Sequence, residues 1–195
     1  FGGELIMNNK ITNILVFAFI VAFVSLAYHF MGKVPGIVFF VASVGGFVLW
    51  RFTTYKTPID PLKVIIPYLL TIILFILHVY EEYLTEFEVA VTDIFGFHVQ
   101  EQVFLTIAAF MGPAMWIAGA ILLLKKTQFG YYFLSFFIVA MTMAELSHYL
   151  FPFMEDGTFH YVSGMYTAVL PLIPAAYTLF IVLREIKKEG LERSR

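Results

Sequence analysis

Three short segments of the sequence pair a histidine with a glutamate three or four residues away, a spacing that puts both side chains on one helix face. The segments are HVYEE (His78, Glu81, Glu82), HVQEQ (His98, Glu101) and ELSH (Glu145, His148). Imidazole nitrogens and carboxylate oxygens bind transition-metal ions inside helical bundles. If the three segments meet in space, the sequence therefore predicts a metal site.

The elements that position these pairs are predicted to be membrane helices. The chain of 195 residues is 61% hydrophobic and only 13% charged, and a soluble fold of this size could not bury so much apolar surface. Six stretches have the length and apolar character of a membrane-crossing helix. These stretches are residues 13–31, 35–52, 62–80, 101–124, 130–150 and 162–186. We therefore expect an all-α, polytopic membrane bundle of six transmembrane helices.

We expect residues 1–195 to form a single transmembrane domain. Within the N-terminal segment, residues 1–12, the sequence FGGELI (1–6) is expected to be an expression remnant or a processed leader, because MNNK at Met7 has the form of a natural start. Residues 187–195 are expected to form a basic cytoplasmic tail. The chain has no cysteine, which excludes disulfides and thiolate metal sites, and no basic tract indicates a nucleic-acid partner.

The distribution of Lys and Arg predicts the orientation of the spans. When the six spans alternate in direction, eleven of the 12 Lys and Arg residues fall on one side and only Lys33 falls on the other. The positive-inside rule assigns the basic side to the cytoplasm. Both termini are therefore expected to be cytoplasmic, in a plasma or inner membrane. All five histidines then fall at the extracytoplasmic ends of their spans.

The predicted site has no basic residues to balance its carboxylates. Glu81, Glu82 and Glu145 lie near helix C-termini, where the helix dipole disfavours negative charge, and burial near hydrocarbon adds a desolvation cost. Protonation, imidazolium partners or bound metal cations could compensate. A centre of two divalent ions bridged by carboxylates and completed by imidazoles would do so. The candidate ligands are His78, Glu81, Glu82, Glu101, Glu145 and His148, with His98 or His160 completing the set.

The HVYEE segment at the end of an apolar span, together with the downstream tract YVSGMYTAVLPLIP (Tyr161–Pro174), resembles the HXXEE-motif family of small integral membrane proteins. The likeness covers roughly residues 65–182. The family's motif residues correspond to His78, Glu81 and Glu82, and its later tract usually reads Pro-Gly where this chain has Ser-Gly. The resemblance implies that the motif is functional but supplies no activity or substrate.

These observations leave three functions open. The leading prediction is a membrane metalloenzyme with two divalent ions, iron favoured, that oxidises or desaturates a lipid or other apolar substrate and takes electrons from a donor. Iron is favoured because carboxylates outnumber imidazoles among the candidates. With zinc or manganese, the same ligands would activate water for lipid hydrolysis, with one Glu as general base. A metal or proton transporter, or a pH sensor, is the non-catalytic alternative.

Overall fold

The computed structural model describes residues 9–96, 98–155 and 157–193, and within these ranges all regular structure is helical. The helices are α1 (Asn9–Met31), α2 (Lys33–Phe52), α3 (Ile65–Leu84), α4 (Phe87–Phe95), α5 (Glu101–Leu105), α6 (Gly112–Leu124), α7 (Gln128–Ser147), α8 (Phe151–Glu155) and α9 (Val169–Arg193). A one-turn 3₁₀ helix, Pro61–Lys63, precedes α3, and a π-helical segment, Thr106–Met111, joins α5 to α6. The expected remnant at 1–6 and the end of the expected tail, 194–195, lie outside the described residues.

Six helical stretches are long and apolar enough to cross a membrane, as the sequence predicts. They are Lys10–Met31, Lys33–Phe52, Ile65–Leu84, Glu101–Leu124, Gln128–Ser147 and Val169–Glu192. Each stretch bonds its backbone groups internally, which is what a chain segment in hydrocarbon must do. The all-α class and the number of candidate spans are confirmed, and both are compatible with an integral membrane protein.

The sixth span differs from the prediction at its start. The predicted range was 162–186, whereas the helix begins at Val169. Residues 162–168 are mainly turns, and Gly164 has a φ of +85°, a left-handed conformation that favours glycine. The predicted boundary was wrong because an apolar turn and an apolar helix have the same hydropathy.

The third span begins and ends about one turn later than predicted, since α3 runs from Ile65 to Leu84 and not from residue 62 to residue 80. The extra turn at its C-terminal end keeps Glu81 and Glu82 in helical geometry. Glu82 therefore follows His78 by one helical turn and lies on the same face of α3. The extension is what allows the HVYEE segment to present two side chains to one place.

Helix α7 forms the centre of the bundle. It packs against α1, α2, α6 and α9, and its aromatic side chains Tyr131, Tyr132, Phe136 and Phe137 are almost completely buried. Tilted ring contacts fill the core, such as that of Trp116 with Phe136, whose centroids are 4.9 Å apart. This close-packed aromatic core fixes α7 and, with it, the polar residues at its C-terminal end.

Two polar contacts hold α3, α7 and α9 in register at the end where α3 begins. Lys63, just before α3, forms an ion pair with Glu185 of α9 (2.5 Å). Tyr131 of α7 donates a hydrogen bond to the carbonyl of Ile59 (2.7 Å). Because α3 and α7 thus run in the same direction and α9 runs in the opposite one, the C-terminal ends of α3 and α7 meet the start of α9.

Gly46 of α2 sets how closely α2 approaches α7. A Cβ atom at Gly46 would lie 2.5 Å from the Cα of Phe136, a backbone atom that cannot turn aside. We expect Gly46→Ala to lower the free energy of unfolding by about 1–3 kcal/mol, the usual cost of overpacking a core. Denaturant titration of the detergent-purified protein measures this change.

Gly190→Ala on α9 is the matched control, because a Cβ atom there would meet no described atom within 4 Å. It should leave stability unchanged or raise it slightly, since Ala has a higher helix propensity than Gly. Equal effects of the two substitutions would show that the α2–α7 crossing is not sterically tight.

Candidate metal centre

Four of the predicted site residues meet in one buried place between the C-terminal ends of α3 and α7. His78 and Glu82 come from α3, Glu145 comes from the last turn of α7, and His148 caps that helix. None of the four is more than 5% exposed. Each pair lies on one helix face because of its spacing, and the common direction of α3 and α7 brings the two pairs together.

The donor atoms of these residues lie at the spacing of ligands around a single ion. The two Nε2 atoms of His78 and His148 are 3.2 Å apart, and Oε1 of Glu82 lies 3.6 and 3.4 Å from them. Oε2 of Glu145 lies 3.3 Å from Nε2 of His78. Atoms that bind a tetrahedral ion at about 2.0–2.1 Å are about 3.3–3.4 Å from one another. His78, Glu145 and His148 form a buried group that could hold a metal ion.

The protonation of His78 follows from the partner of its other ring nitrogen. Nδ1 of His78 lies 3.0 Å from the hydroxyl oxygen of Thr167. That hydroxyl donates its one proton to the carboxylate of Glu81, so toward His78 it can only accept. Nδ1 of His78 therefore carries a proton, and in the neutral form of the ring Nε2 directs a lone pair into the cluster.

His148 is held in the same tautomer by a backbone group. Its Nδ1 lies 3.0 Å from the carbonyl oxygen of Ser163, which can only accept a hydrogen bond. Nδ1 of His148 is therefore the donor, and in the neutral form of this ring too Nε2 is an acceptor. The two rings thus face each other through their Nε2 atoms, with two carboxylates beside them.

Glu145 is the most isolated of the acceptors. It is 0% exposed, and neither of its oxygens accepts a hydrogen bond from any described group. No ion pair in the described part of the chain joins Glu82 or Glu145 to a Lys or Arg; both carboxylates pair only with the imidazoles. An unpaired buried carboxylate is strongly disfavoured, so the arrangement requires a cation or protons.

Apolar groups surround the imidazoles. The rings of Phe87 and Phe151 lie 5.2 and 5.3 Å from that of His148. Gly164 lies against both histidines: a Cβ atom there would be 2.5 Å from Cε1 of His148 and 3.0 Å from Cε1 of His78. Only a glycine leaves room for both rings at this position. The resulting low polarity strengthens electrostatic interactions within the cluster.

Glu81, the remaining one of the three motif residues in HVYEE, points away from the cluster. Its Oε1 accepts hydrogen bonds from the hydroxyl of Tyr161 (2.8 Å) and the backbone N–H of Tyr166 (3.3 Å). Its Oε2 accepts from the backbone N–H of Thr167 (2.8 Å) and from the Thr167 hydroxyl. Both oxygens are therefore occupied by donors from the segment between α8 and α9.

The remaining predicted ligands lie outside the cluster. His98 and Glu101 are exposed at the start of α5, and His160 is half-buried, with its Nδ1 3.1 Å from the carbonyl oxygen of Thr158. The expected pairing of His98 with Glu101 on one helix face is not found, because residues 98–100 are not helical and α5 begins only at Glu101. The structure brings together two of the three predicted pairs.

Ser163, Gly164 and Thr167 were missed as site residues by the reading of the sequence. They lie in the connection before α9, where the carbonyl of Ser163 and the hydroxyl of Thr167 orient the imidazoles and Gly164 makes room for them. A Ser-Gly pair inside an apolar tract is a turn signal that could have indicated this connection.

Comparisons of the chain with protein-family models, with curated proteins and with solved structures found no match. The resemblance to the HXXEE-motif family therefore stays a prediction. The candidate site is defined by its own geometry.

Gly164→Ala should open the cluster. The substitution places a methyl group against both imidazoles and strains a backbone with positive φ, so we expect His78 and His148 to become accessible to solvent. Carbethoxylation of the two histidines by diethylpyrocarbonate, quantified by mass spectrometry, should be several-fold faster than in the unchanged protein.

Gly157→Ala is the control for backbone strain alone. Gly157 also has a positive φ, +80°, but a Cβ atom there would meet no described atom within 4 Å. Its histidines should react at the rate of the unchanged protein. If both variants react equally fast, contact between Gly164 and the imidazoles is not what protects them.

Proposed function

We propose that this protein is a membrane-embedded, metal-dependent hydrolase that holds one divalent ion, Zn²⁺ in the first place, through His78, Glu145 and His148. The observation that carries the proposal is the pair of Nε2 atoms that face each other at 3.2 Å, each on a ring whose Nδ1 already carries a proton. Two carboxylates share the same buried space. One divalent cation would compensate all of these acceptors at once.

Protons alone would compensate the cluster less well. A proton on Nε2 of His78 could be donated either to Nε2 of His148 (3.2 Å) or to Oε2 of Glu145 (3.3 Å), so one proton cannot satisfy both acceptors, and Oε1 of Glu145 would still lack a partner. A proton on Glu145 itself would satisfy one of its oxygens, but it would also remove the negative charge of the buried carboxylate. A metal ion at the centre contacts the nitrogens and the carboxylate together, which favours it as the occupant.

The geometry supports one ion rather than the two that the sequence suggested. His78, Glu145 and His148 have ligand atoms within 4.8 Å of one another, and Oε1 of Glu82 lies 3.6 and 3.4 Å from the two imidazole nitrogens. A pair of ions about 3.5–4 Å apart needs ligands on both sides. The other candidates, His98, Glu101 and His160, do not lie in this cluster.

The residues divide naturally into ligands and a base. Two histidines and one glutamate are the protein ligands of zinc hydrolases, in which the fourth position holds water. Zinc supplies a lowered pKa for that water and polarises the bond to be cleaved. Glu82, with Oε1 3.6 and 3.4 Å from the two imidazole nitrogens, is placed to accept the proton of the water and to return it to the leaving group.

A lipid or other apolar molecule suits this location as substrate. The cluster lies at the ends of two apolar spans, and Phe87 and Phe151 line it. A substrate with an apolar chain can reach such a position laterally from the bilayer, whereas a strongly hydrated one would lose its water first. The bond cleaved is then an ester, amide or phosphodiester at the polar end of the lipid.

Iron-dependent oxidation of an apolar substrate is the second candidate. Two histidines and one carboxylate with open positions are also the facial triad of non-haem Fe(II) oxygenases. Iron chemistry requires dioxygen and a separate electron donor, and it gives no role to the additional carboxylate of Glu82. We therefore place hydrolysis first. The prediction from the sequence favours iron-dependent oxidation instead, because carboxylates outnumber imidazoles among the candidate ligands.

The distribution of charge supports an extracytoplasmic position for the site. Eleven of the 12 Lys and Arg residues fall on one side when the six spans alternate, and the cluster lies on the other side. By the positive-inside rule, both termini would be cytoplasmic and the site would face outward from a plasma or inner membrane.

Single cysteines at Lys125 and Phe159 test this orientation, because the chain has no other cysteine and both positions are exposed. In intact cells, a membrane-impermeant maleimide should label Phe159→Cys. It should label Lys125→Cys only after permeabilisation. Labelling of both from the same side would overturn the proposed topology.

Elemental analysis of the detergent-purified protein tests the metal site. We expect about one zinc ion per chain and a loss of nearly all bound metal in His78→Ala and in Glu145→Gln, because each removes a ligand. Glu101→Gln is the matched control, since Glu101 is an exposed carboxylate outside the cluster, and it should retain the metal. Unchanged metal content in His78→Ala, or no stoichiometric metal in the unchanged protein, would contradict the proposal.

The chemistry is tested by Glu82→Gln. This variant should retain the ion but hydrolyse lipid esters or amides about 10²–10⁴-fold more slowly, the usual contribution of a general base. One iron per chain with substrate-dependent oxygen consumption would support the oxidative candidate instead. Two irons per chain would return the site to the dinuclear centre predicted from the sequence.

A further inference from the structure

Glu81 and Glu82 are adjacent in the sequence but have different surroundings. Glu82 is buried beside the imidazoles, whereas Glu81 accepts four hydrogen bonds from residues of the segment 161–167, which connects α8 to α9. Adjacent residues on a helix point about 100° apart, so one faces the cluster and the other faces this connection.

The donors around Glu81 indicate that it is ionised. An ionised carboxylate only accepts hydrogen bonds, and four donors occupy it here. Burial and the hydrogen bond to Glu81 raise the pKa of the Tyr161 phenol above its usual value, so this hydroxyl remains a donor at neutral pH. Glu81 therefore has no free oxygen for a metal.

The hydrogen bonds from Glu81 continue to His78 through one hydroxyl. Thr167 donates to Oε2 of Glu81 and accepts from Nδ1 of His78, whose Nε2 faces the cluster. Metal-bound histidines commonly donate their other N–H to a carboxylate, which fixes the ring and strengthens it as a ligand. Here a threonine hydroxyl stands between the imidazole and the carboxylate.

We infer that Glu81 is a positioning residue that acts through Thr167 to hold His78 in its metal-binding tautomer, and that it is not itself a ligand. This inference rests on the proposed metal site. The same carboxylate also ties the segment 161–167 to α3, and that segment supplies the Ser163 carbonyl that orients His148. Glu81 thus affects both imidazoles without touching the ion.

Metal affinity of the full chain in detergent tests the inference, with Zn²⁺ and Co²⁺ as the probes. Glu81→Gln and Thr167→Val should each still bind one ion, but about 10–100-fold more weakly, as expected for loss of an outer hydrogen-bond partner. Thr167→Ser keeps the hydroxyl and should restore most of the affinity. The double variant Glu81→Gln/Thr167→Val should be about as weak as Thr167→Val alone, because both changes interrupt the same connection.

The visible spectrum of bound Co²⁺ separates a positioning role from ligation. In Glu81→Gln the spectrum should keep the shape of the unchanged protein, since the ligand set is the same, whereas Glu145→Gln should change or abolish it. Glu101→Gln again serves as the carboxylate control and should match the unchanged protein in affinity and spectrum.

The outcomes that overturn the inference differ from those that overturn the proposed function. If the unchanged protein binds no ion, the metal site itself is wrong. If it binds one ion and Glu81→Gln binds equally tightly, only the positioning role fails. If Glu81→Gln loses the ion completely or alters the Co²⁺ spectrum, Glu81 is a ligand. If Glu81→Gln does not fold, comparison of Thr167→Val with Thr167→Ser tests the same connection to His78 without a change of charge.

Discussion

Two imidazole nitrogens that face each other 3.2 Å apart are the constraint on which the rest of the site depends. Each ring is fixed from behind by a group that can only accept from it, the Ser163 carbonyl for His148 and the Thr167 hydroxyl for His78. Neither ring can therefore turn a proton inward and remain neutral. In water, solvent molecules would donate hydrogen bonds to the two nitrogens. Here both rings are buried next to carboxylates, so a cation would be needed to compensate these acceptors.

The rest of the bundle serves to maintain this contact. The aromatic core around α7 and the polar contacts at the other end of α3 keep the helix ends in register, so that two helices deliver one histidine and one glutamate each. Buried polar groups at the ends of apolar spans are costly, and they are rare where they have no role. The connection before α9 offsets part of this desolvation cost, because it forms hydrogen bonds with His148 and Glu81 that the helices themselves cannot provide.

Much of the fold could be predicted from the sequence because each apolar run is long enough to specify one helix. The convergence of HVYEE with ELSH also followed from spacing and alternation of the spans. The different surroundings of Glu81 and Glu82 could not be predicted, since neighbouring helical positions differ only in which way they face. The HVQEQ pair has the same spacing in the sequence, but residues 98–100 are not helical, so His98 and Glu101 do not share a helix face, and both are exposed. The turns at 162–168 were missed because their composition is as apolar as that of a helix.

The order of the elements along the chain has a consequence for biosynthesis. The histidines and the glutamates of the cluster lie in α3 and at the end of α7. The groups that orient both rings lie in residues 163–167, which are translated later. The packing of α9 against α3 and α7 holds these residues in place. A nascent chain that has inserted five spans already contains every proposed ligand, yet its imidazoles are still free to rotate. On the proposed function, metal binding in the final geometry would therefore have to wait for the last span, because only then are both imidazoles oriented.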